Sequence, residues 1–451
     1  MQHNKHKQSR VLAWSLLGWL LSNWAQASEL IRGPYIQNQS PTSVTLRWRT
    51  HGLTDSVVMW GLAPGQLNES ITQATPTTEH EVTITGLTPN QRYHYAVGSS
   101  AEILAGNDAN HALTMPPTHG TAQPLRIWVL GDSGTANANA AAVRDAYLNF
   151  NGNQHTHLWL MLGDNAYSSG TEEQYQAAVF DMYPSLLRQS SLWPVIGNHD
   201  VHNANSLTGT GVYYDIFTLP KQARTTGHST GVDSGSEAYY SFDYGNVHFV
   251  MLDSVFISVP FRAAMIDWLQ ADLMMSQADW TIAMWHHPPY TKGSHDSDLE
   301  SRHIWTRETV LPILEQHGVD LILGGHSHSY ERSWLIDGHY GLSQSFDPQQ
   351  HVLDGTNGNP FAGETYFKPT LGAAPHEGSV YVVAGSSGKV GNIEPNPHPA
   401  MRHLLALQEL GSLVIDVSGH HLLVQFLLDN GQVQDVFRLT KQDLIFATTF
   451  N

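Results

Sequence analysis

Five short apolar runs constrain this chain more than any other feature. They are "LRIWVLGDSG", "HLWLMLGDNAY", "LWPVIGNHD", "WTIAMWHHPPY" and "VDLILGGHSH", and each stops at a group of Gly, Asp, Asn or His. Apolar runs of this length, bounded by glycine, read as buried strands. Between the first two lies "ANANAAAVRDAYLNF", rich in helix formers, so the unit reads strand, helix, strand. Ligands of α/β sheets collect beyond the carboxyl ends of the strands. The five polar termini are therefore expected to converge on one crevice.

At 451 residues with 41% hydrophobic content, the chain is long enough for two or three packed domains. Its first residues carry Lys5, Lys7 and Arg10, then "VLAWSLLGWLLSNW", then "AQA" before Ser28. That is the three-part pattern of a cleavable export signal, and the apolar run is short for a spanning helix. Residues 1–27 are expected to be a signal peptide, with the mature protein secreted or periplasmic and off the membrane. With no cysteine, it must hold together by core burial and bound metal instead of disulfides. A net charge of −18 argues against a nucleic-acid surface, which needs clustered Lys and Arg. An anionic substrate remains compatible with it where a bound cation dominates the local field.

Residues 28–118 read differently. "TSVTLRWRT", "DSVVMWG" and "HEVTITGLTPNQRYHYAVGSS" are short alternating runs separated by Gly, Pro and Asn, the pattern of a small antiparallel sandwich. "ITGLTPNQRYHYAV" resembles the matching stretch of fibronectin type III-like domains. "MPPTHGTAQP" is a linker, and residues 124–445 form the second unit. Within it, 333–378 reads as a long irregular excursion near the site rim. The β-type runs "SVYVVAGSSG", "LGSLVIDVSG", "HHLLVQFLLD" and "GQVQDVFRLT" are expected to complete a second sheet.

The polar groups at the five termini are Asp132, then Asp164 and Tyr167, then Asn198 and His199, then His286 and His287, and finally His326 and His328. Carboxylates, imidazoles, an amide and a phenol suit iron, zinc or manganese and not a soft thiolate site. So many donors can hold two cations with one bridging carboxylate, and such a pair can clamp an oxyanion and activate water. Singly each motif is weak, since "GD" is usually a turn and "GNHD" an Asx turn. Five in series, each after an apolar run, leave little room for coincidence.

The series "GD", "GDNAY", "GNHD", "HH", "GHSHSYER" resembles the calcineurin-like metallophosphoesterases and, within them, the purple acid phosphatases. The resemblance runs over roughly residues 30 to 440. It implies a four-layer α/β/β/α sandwich preceded by the all-β fibronectin type III-like domain. It also implies Fe(3+) held by Asp132, Asp164, Tyr167 and His328, and a second divalent metal (Zn, Fe or Mn) held by Asp164, Asn198, His286 and His326. His199 and His295 would be the catalytic histidines on the substrate side, and His287 a supporting residue. The implied activity is acid phosphatase hydrolysis of small phosphomonoesters by metal-bound hydroxide, with the Tyr167 phenolate giving a visible colour.

Three expectations accompany this reading. A near-extended turn at Ser327 would let the two flanking imidazoles alternate into the crevice. Asp200, where plant members carry Glu, would orient His199. The same metals could instead serve phosphodiesters or nucleotides, and a non-catalytic surface-binding protein is the remaining alternative. Oligomeric state is not legible.

Overall fold

A computed structural model describes residues 29–392, 396–403 and 409–441. The expected signal peptide and residues 442–445 lie outside them. Among the described residues no helix is long and apolar enough to cross a membrane.

The N-terminal part is an all-β sheet of six strands. Its spine is the strand Ser43–Gly61, which pairs antiparallel with Leu30–Gln37, Glu69–Thr85 and Arg92–Gly98. Alternation along these strands turns Val44, Leu46, Trp48, Val82, Ile84, Tyr95 and Val97 into a separate small core. The first strand also docks on the rest of the chain. Tyr35 joins the larger core and donates its hydroxyl to the Ile216 carbonyl at 2.7 Å, while Gln37 Nε2 donates to Leu192 O at 3.0 Å. Arg32 and Arg49 share the Glu172 carboxylate at the same seam.

From Leu125 onward the chain builds two seven-stranded mixed sheets with helices, as metallophosphoesterase folds do. The first sheet runs Tyr366–Lys368, Val433–Lys441, His421–Leu428, Gly411–Ser418, Leu125–Leu130, Leu158–Met161, Ser191–Pro194. The second runs Tyr240–Tyr244, Val247–Met251, Trp280–Met284, Leu321–Gly324, Val380–Ala384, Tyr330–Ser333, Met401–His403. Three of the five apolar runs thus lie on one sheet and two on the other. Within each sheet they are parallel neighbours, so their carboxyl ends emerge together. The two sheets meet where a Cβ on Gly131 would fall 2.2 Å from the Ala384 carbonyl oxygen, so only glycine permits the approach there.

The later β-type runs do not share one sheet. Val380–Ala384 inserts into the second, beside Leu321–Gly324, whereas the three strands from Gly411 to Lys441 extend the first. Apolar alternation marks a strand but not its partner. The stretch 333–378 is also more ordered than its composition suggests. Leu335–Ile336 pairs with Val352–Asp354, and Tyr366–Lys368 adds to the edge of the first sheet.

A buried charge cluster fastens the helix Val259–Met275 to the second sheet. His248, fully buried, contacts Asp243 at 2.6 Å through Nδ1 and Asp272 at 2.9 Å through Nε2. Burial works against the imidazolium, but the two carboxylates overcome it and push the pKa up to about 10. A pKa raised on folding adds stability that is complete below the unfolded value near 6.5 and disappears as pH rises towards 10. Denaturant unfolding at pH 6, 8 and 10 should show that decline, and His248→Leu, which leaves two carboxylates facing each other, should cost about 3–5 kcal/mol at pH 6.

Candidate metal centre

Three strand ends turn sharply to aim their polar residues inward. Asp132, Asp164 and His326 all have positive φ, at 55°, 51° and 64°. A non-glycine residue there costs on the order of 1–3 kcal/mol and persists only where its surroundings impose it. The surroundings here are reciprocal hydrogen bonds between the turns. The His326 amide donates to Asp132 Oδ2 at 2.7 Å and the His199 amide to Asp164 Oδ1 at 2.9 Å. Tyr167 N donates to Gly134 O at 2.8 Å. Neighbouring glycines make room for them. A Cβ on Gly163 would lie 2.6 Å from His286 Nδ1, and one on Gly197 2.3 Å from Asp164 Oδ1.

The donor atoms fall into two groups that share Asp164. In the first, Tyr167 Oη lies 3.0 Å from Asp132 Oδ1, 3.0 Å from Asp164 Oδ2 and 3.4 Å from His328 Nε2. His328 Nε2 is in turn 3.4 Å from Asp132 Oδ1. In the second, His286 Nε2 lies 3.4 Å from Asp164 Oδ1, 2.9 Å from Asn198 Oδ1 and 3.2 Å from His326 Nδ1. Donors about 2.0–2.2 Å from one transition-metal ion and at right angles to one another stand about 3 Å apart. Both groups have that spacing, so the donor set fits two cations with one carboxylate between them.

The protonation energetics of these side chains point the same way. Burial disfavours the His286 cation, yet Asp164 and Asp132 push its pKa up to about 9. Burial also opposes ionisation of Asp164, which His286 and the His199 amide nevertheless hold well below the carboxylate range. Burial, then the charges of Asp132 and Asp164, raise the Tyr167 phenol far above its ordinary value. His326 is driven down to about 3 by burial, against the pull of Glu300. Two buried carboxylates beside a phenol create a site that a cation relieves, and a bound cation inverts this pKa order.

Two expectations fail locally. The His326–Ser327–His328 turn is not extended: with His326 left-handed, Ser327 N donates to Gly325 O and Ser329 N to Ser327 O, both at 2.7 Å. The two imidazoles reach different donor groups because the backbone curls, not because side chains alternate. Asp200 does not orient His199. It is buried, and accepts from Gly197 N at 2.8 Å, Asn165 N at 3.1 Å and Tyr175 Oη at 2.6 Å, clasping the loops that carry Asp164 and Asn198. With Asn165 Nδ2 as a fourth donor at 3.0 Å, its lone pairs are taken up within these loops. The His199 ring is oriented instead by the Ser168 carbonyl, 2.6 Å from Nδ1, which leaves Nε2 on the crevice side, 3.8 Å from Asp164 Oδ2.

His295 is brought to the same crevice, its ring centroid 3.8 Å from that of His326 and the rings tilted by 32°, with Nδ1 2.6 Å from Glu300 Oε1. His287 is buried, hydrogen-bonded to Ser254 Oγ at 2.8 Å, and packs against His326. Sequence reasoning missed two residues. Glu300 also contacts His326 Nε2 at 3.3 Å, and it follows a polar loop that carries no strand-end signature. Lys389 holds Nζ 3.9 Å from the Tyr167 ring centroid. It follows the apolar run "VYVVAGSSGK", a sixth strand end with the same glycine signature as the five.

Comparison with known proteins agrees with this geometry. The calcineurin-like phosphoesterase family matches residues 125–330, and the purple acid phosphatase N-terminal domain matches residues 33–110. The chain thus joins a purple acid phosphatase N-terminal domain to a calcineurin-like phosphoesterase domain. Among the proteins it is similar to, purple acid phosphatase 15 of Arabidopsis thaliana is 28% identical over 280 residues, 56% of this chain and 49% of that protein. Purple acid phosphatase 22 of the same plant is 28% identical over 68% of this chain and 66% of its own length. The match thus spans between half and two thirds of these curated relatives. The solved structure of purple acid phosphatase PPD1 from yellow lupin (Lupinus luteus) seeds shares the fold, with a TM-score of 0.67 at 16% identity over 91% of this chain and 74% of that one.

The glycine spacing gives a test of the site as a metal cradle. Gly197→Ala should lower bound metal per chain several-fold, read by elemental analysis, because its Cβ would displace Asp164. Gly355→Ala, whose Cβ would meet nothing nearer than 3.9 Å, should leave metal content unchanged.

Proposed function

We propose that this chain is an exported acid phosphatase that hydrolyses small phosphomonoesters at a pair of metal ions. The observation that carries the reading is the pair of donor groups sharing Asp164, with neighbouring donor atoms 2.9–3.4 Å apart. Asp132, Asp164, Tyr167 and His328 would hold Fe(3+), and Asp164, Asn198, His286 and His326 a divalent Zn, Fe or Mn. Phenolate and carboxylate are the hard anionic donors that suit a ferric ion, while the amide and two imidazoles suit a divalent one. When bound, such a pair supplies the Lewis acidity that polarises the ester and activates water.

The remaining steps belong to side chains. The Ser168 carbonyl accepts the His199 Nδ1 proton, so Nε2 is the nitrogen that delivers a proton to the departing alcohol oxygen. Glu300 fixes His295 in the same manner through Nδ1, which leaves its Nε2 for a phosphoryl oxygen or the leaving group. The loose transition state of a monoester puts more charge on the departing oxygen than a diester's does, so a monoester gains more from two such donors. That favours a monoesterase over the diesterase or nucleotide hydrolase that the same metals could serve. Residues 1–27 would be the removed leader, 28–118 the N-terminal domain and 124–445 the catalytic domain, acting in the periplasm or medium.

Two measurements test this. The oxidised mature protein should show a broad visible band that Tyr167→Phe abolishes, and a colourless but active enzyme would overturn the ferric assignment. With an aryl monoester at mildly acidic pH, His199→Ala should lower kcat by about 10²–10⁴-fold. A metal-loaded protein that turned over only diesters would overturn the monoesterase reading.

A further inference from the structure

A sixth strand end contributes to the same crevice. After Val380–Ala384 the chain runs "GSSGKVG" across the mouth of the site, and it is fastened on both sides of Lys389. Upstream, Ser387 N donates to Gly131 O at 3.1 Å, and a Cβ on Gly388 would lie 2.6 Å from Asp132 O. Downstream, Gly391 N donates to His328 O at 2.9 Å, and a Cβ there would lie 2.4 Å from Ser294 Cβ. Lys389 is thus held between the turns that carry Asp132 and His328, two residues of one donor group. Its backbone position is as fixed as theirs.

Its ammonium, half-buried, lies 3.9 Å from the centroid of the Tyr167 ring, and the His199 ring approaches the same ring edge-on at 4.6 Å. An ammonium carries three donors and no acceptor. Among the described residues Lys389 Nζ has no hydrogen bond and no carboxylate partner, only this ring. The ring's own hydroxyl sits among the shared donors, so the cation lies against a ring whose far edge belongs to the first donor group.

Resting on the phosphatase reading above, we propose that Lys389 is a specificity-determining residue that favours a phosphomonoester dianion over a diester monoanion. A monoester above pH 6 carries nearly two charges, a diester one. A fixed cation close to the bound phosphate therefore attracts the monoester about twice as strongly, and the partly dehydrated crevice weakens screening. Metal ions at the donor groups would also favour the dianion, and Lys389 would add to that preference from outside them, beside the non-bridging oxygens. Lys389 also lies on the crevice wall formed by Tyr167, beside His199, so one wall would carry both the charge reader and the proton donor.

The test uses the metal-loaded full chain at pH 7, where the monoester is mostly dianion, with 4-nitrophenyl phosphate and bis(4-nitrophenyl) phosphate, which share a leaving group. Lys389→Met should lower kcat/KM for the monoester about tenfold, mainly through KM, and for the diester only about threefold, half the effect in free energy. Inhibition by inorganic phosphate should weaken by a similar factor, and Lys389→Arg should restore most of both. Equal losses on the two esters, or none, with unchanged metal content would overturn the proposal. So would a fall in metal content that accounts for the loss, which would make Lys389 structural. If the wild-type protein cleaves no monoester, the phosphatase reading fails separately. Calorimetric binding of inorganic phosphate then decides the role of Lys389, and an affinity unchanged in Lys389→Met would sink it.

Discussion

The structure is organised around one electrostatic problem: two buried carboxylates, Asp132 and Asp164, sit with a phenol between them, 3.0 Å from each. Nothing in a hydrophobic core favours burying two carboxylates so close to one phenol. It is maintained by backbone, not by side-chain packing. Each carboxylate accepts an amide from a different strand end, His326 N for Asp132 and His199 N for Asp164. The first of these bonds ties the two sheets to each other through a carboxylate that would bind metal, and the second joins two strand ends of the first sheet. Folding of the interface and formation of the site are one event.

That coupling explains why so many glycines cluster at the strand ends and why the residues between them tolerate left-handed backbone. Gly131, Gly163, Gly197 and Gly388 each place backbone where a Cβ would collide with a neighbouring turn or ligand. Asp200 adds the second layer: burial and the nearby Asp164 charge push its pKa up to about 7. Its lone pairs are nevertheless spent on Gly197, Asn165 and Tyr175, which locks the second and third strand ends together. The N-terminal domain supports the same region from outside, since Glu172, which Arg32 and Arg49 grip, begins the short helix that ends at Tyr175, a partner of Asp200.

Much of this was legible in the sequence because strand ends write a local signature. Apolar runs closing in Gly with Asp, Asn or His located Asp132, Asp164, Asn198, His286 and His326, and the structure brings all of them to one crevice. Sheet partnership was not legible, because Val380–Ala384 and Gly411–Ser418 read alike yet join different sheets. Nor was the curl at Ser327, since nothing in "GHSH" distinguishes an alternating strand from two successive tight turns. Orientation of His199 was assigned to Asp200 from adjacency along the chain, whereas a backbone carbonyl thirty-one residues away supplies it. Carbonyl partners leave no trace in side-chain identity.

The charge balance of the molecule also becomes intelligible. A chain at −18 would repel a phosphate ester everywhere, and long-range steering cannot bring the substrate in. Attraction must be local and strong enough to overcome the surrounding field. Two metal ions would reverse the sign at the donor groups, and His199, His295 and Lys389 line the approach with groups that can donate protons or charge. All three are on loops whose backbones are fixed by contacts to the donor turns. With the carboxylate pair neutralised by bound cations, the crevice would attract an anion that the acidic surface repels, and on the proposed function the metal pair and Lys389 would carry recognition together.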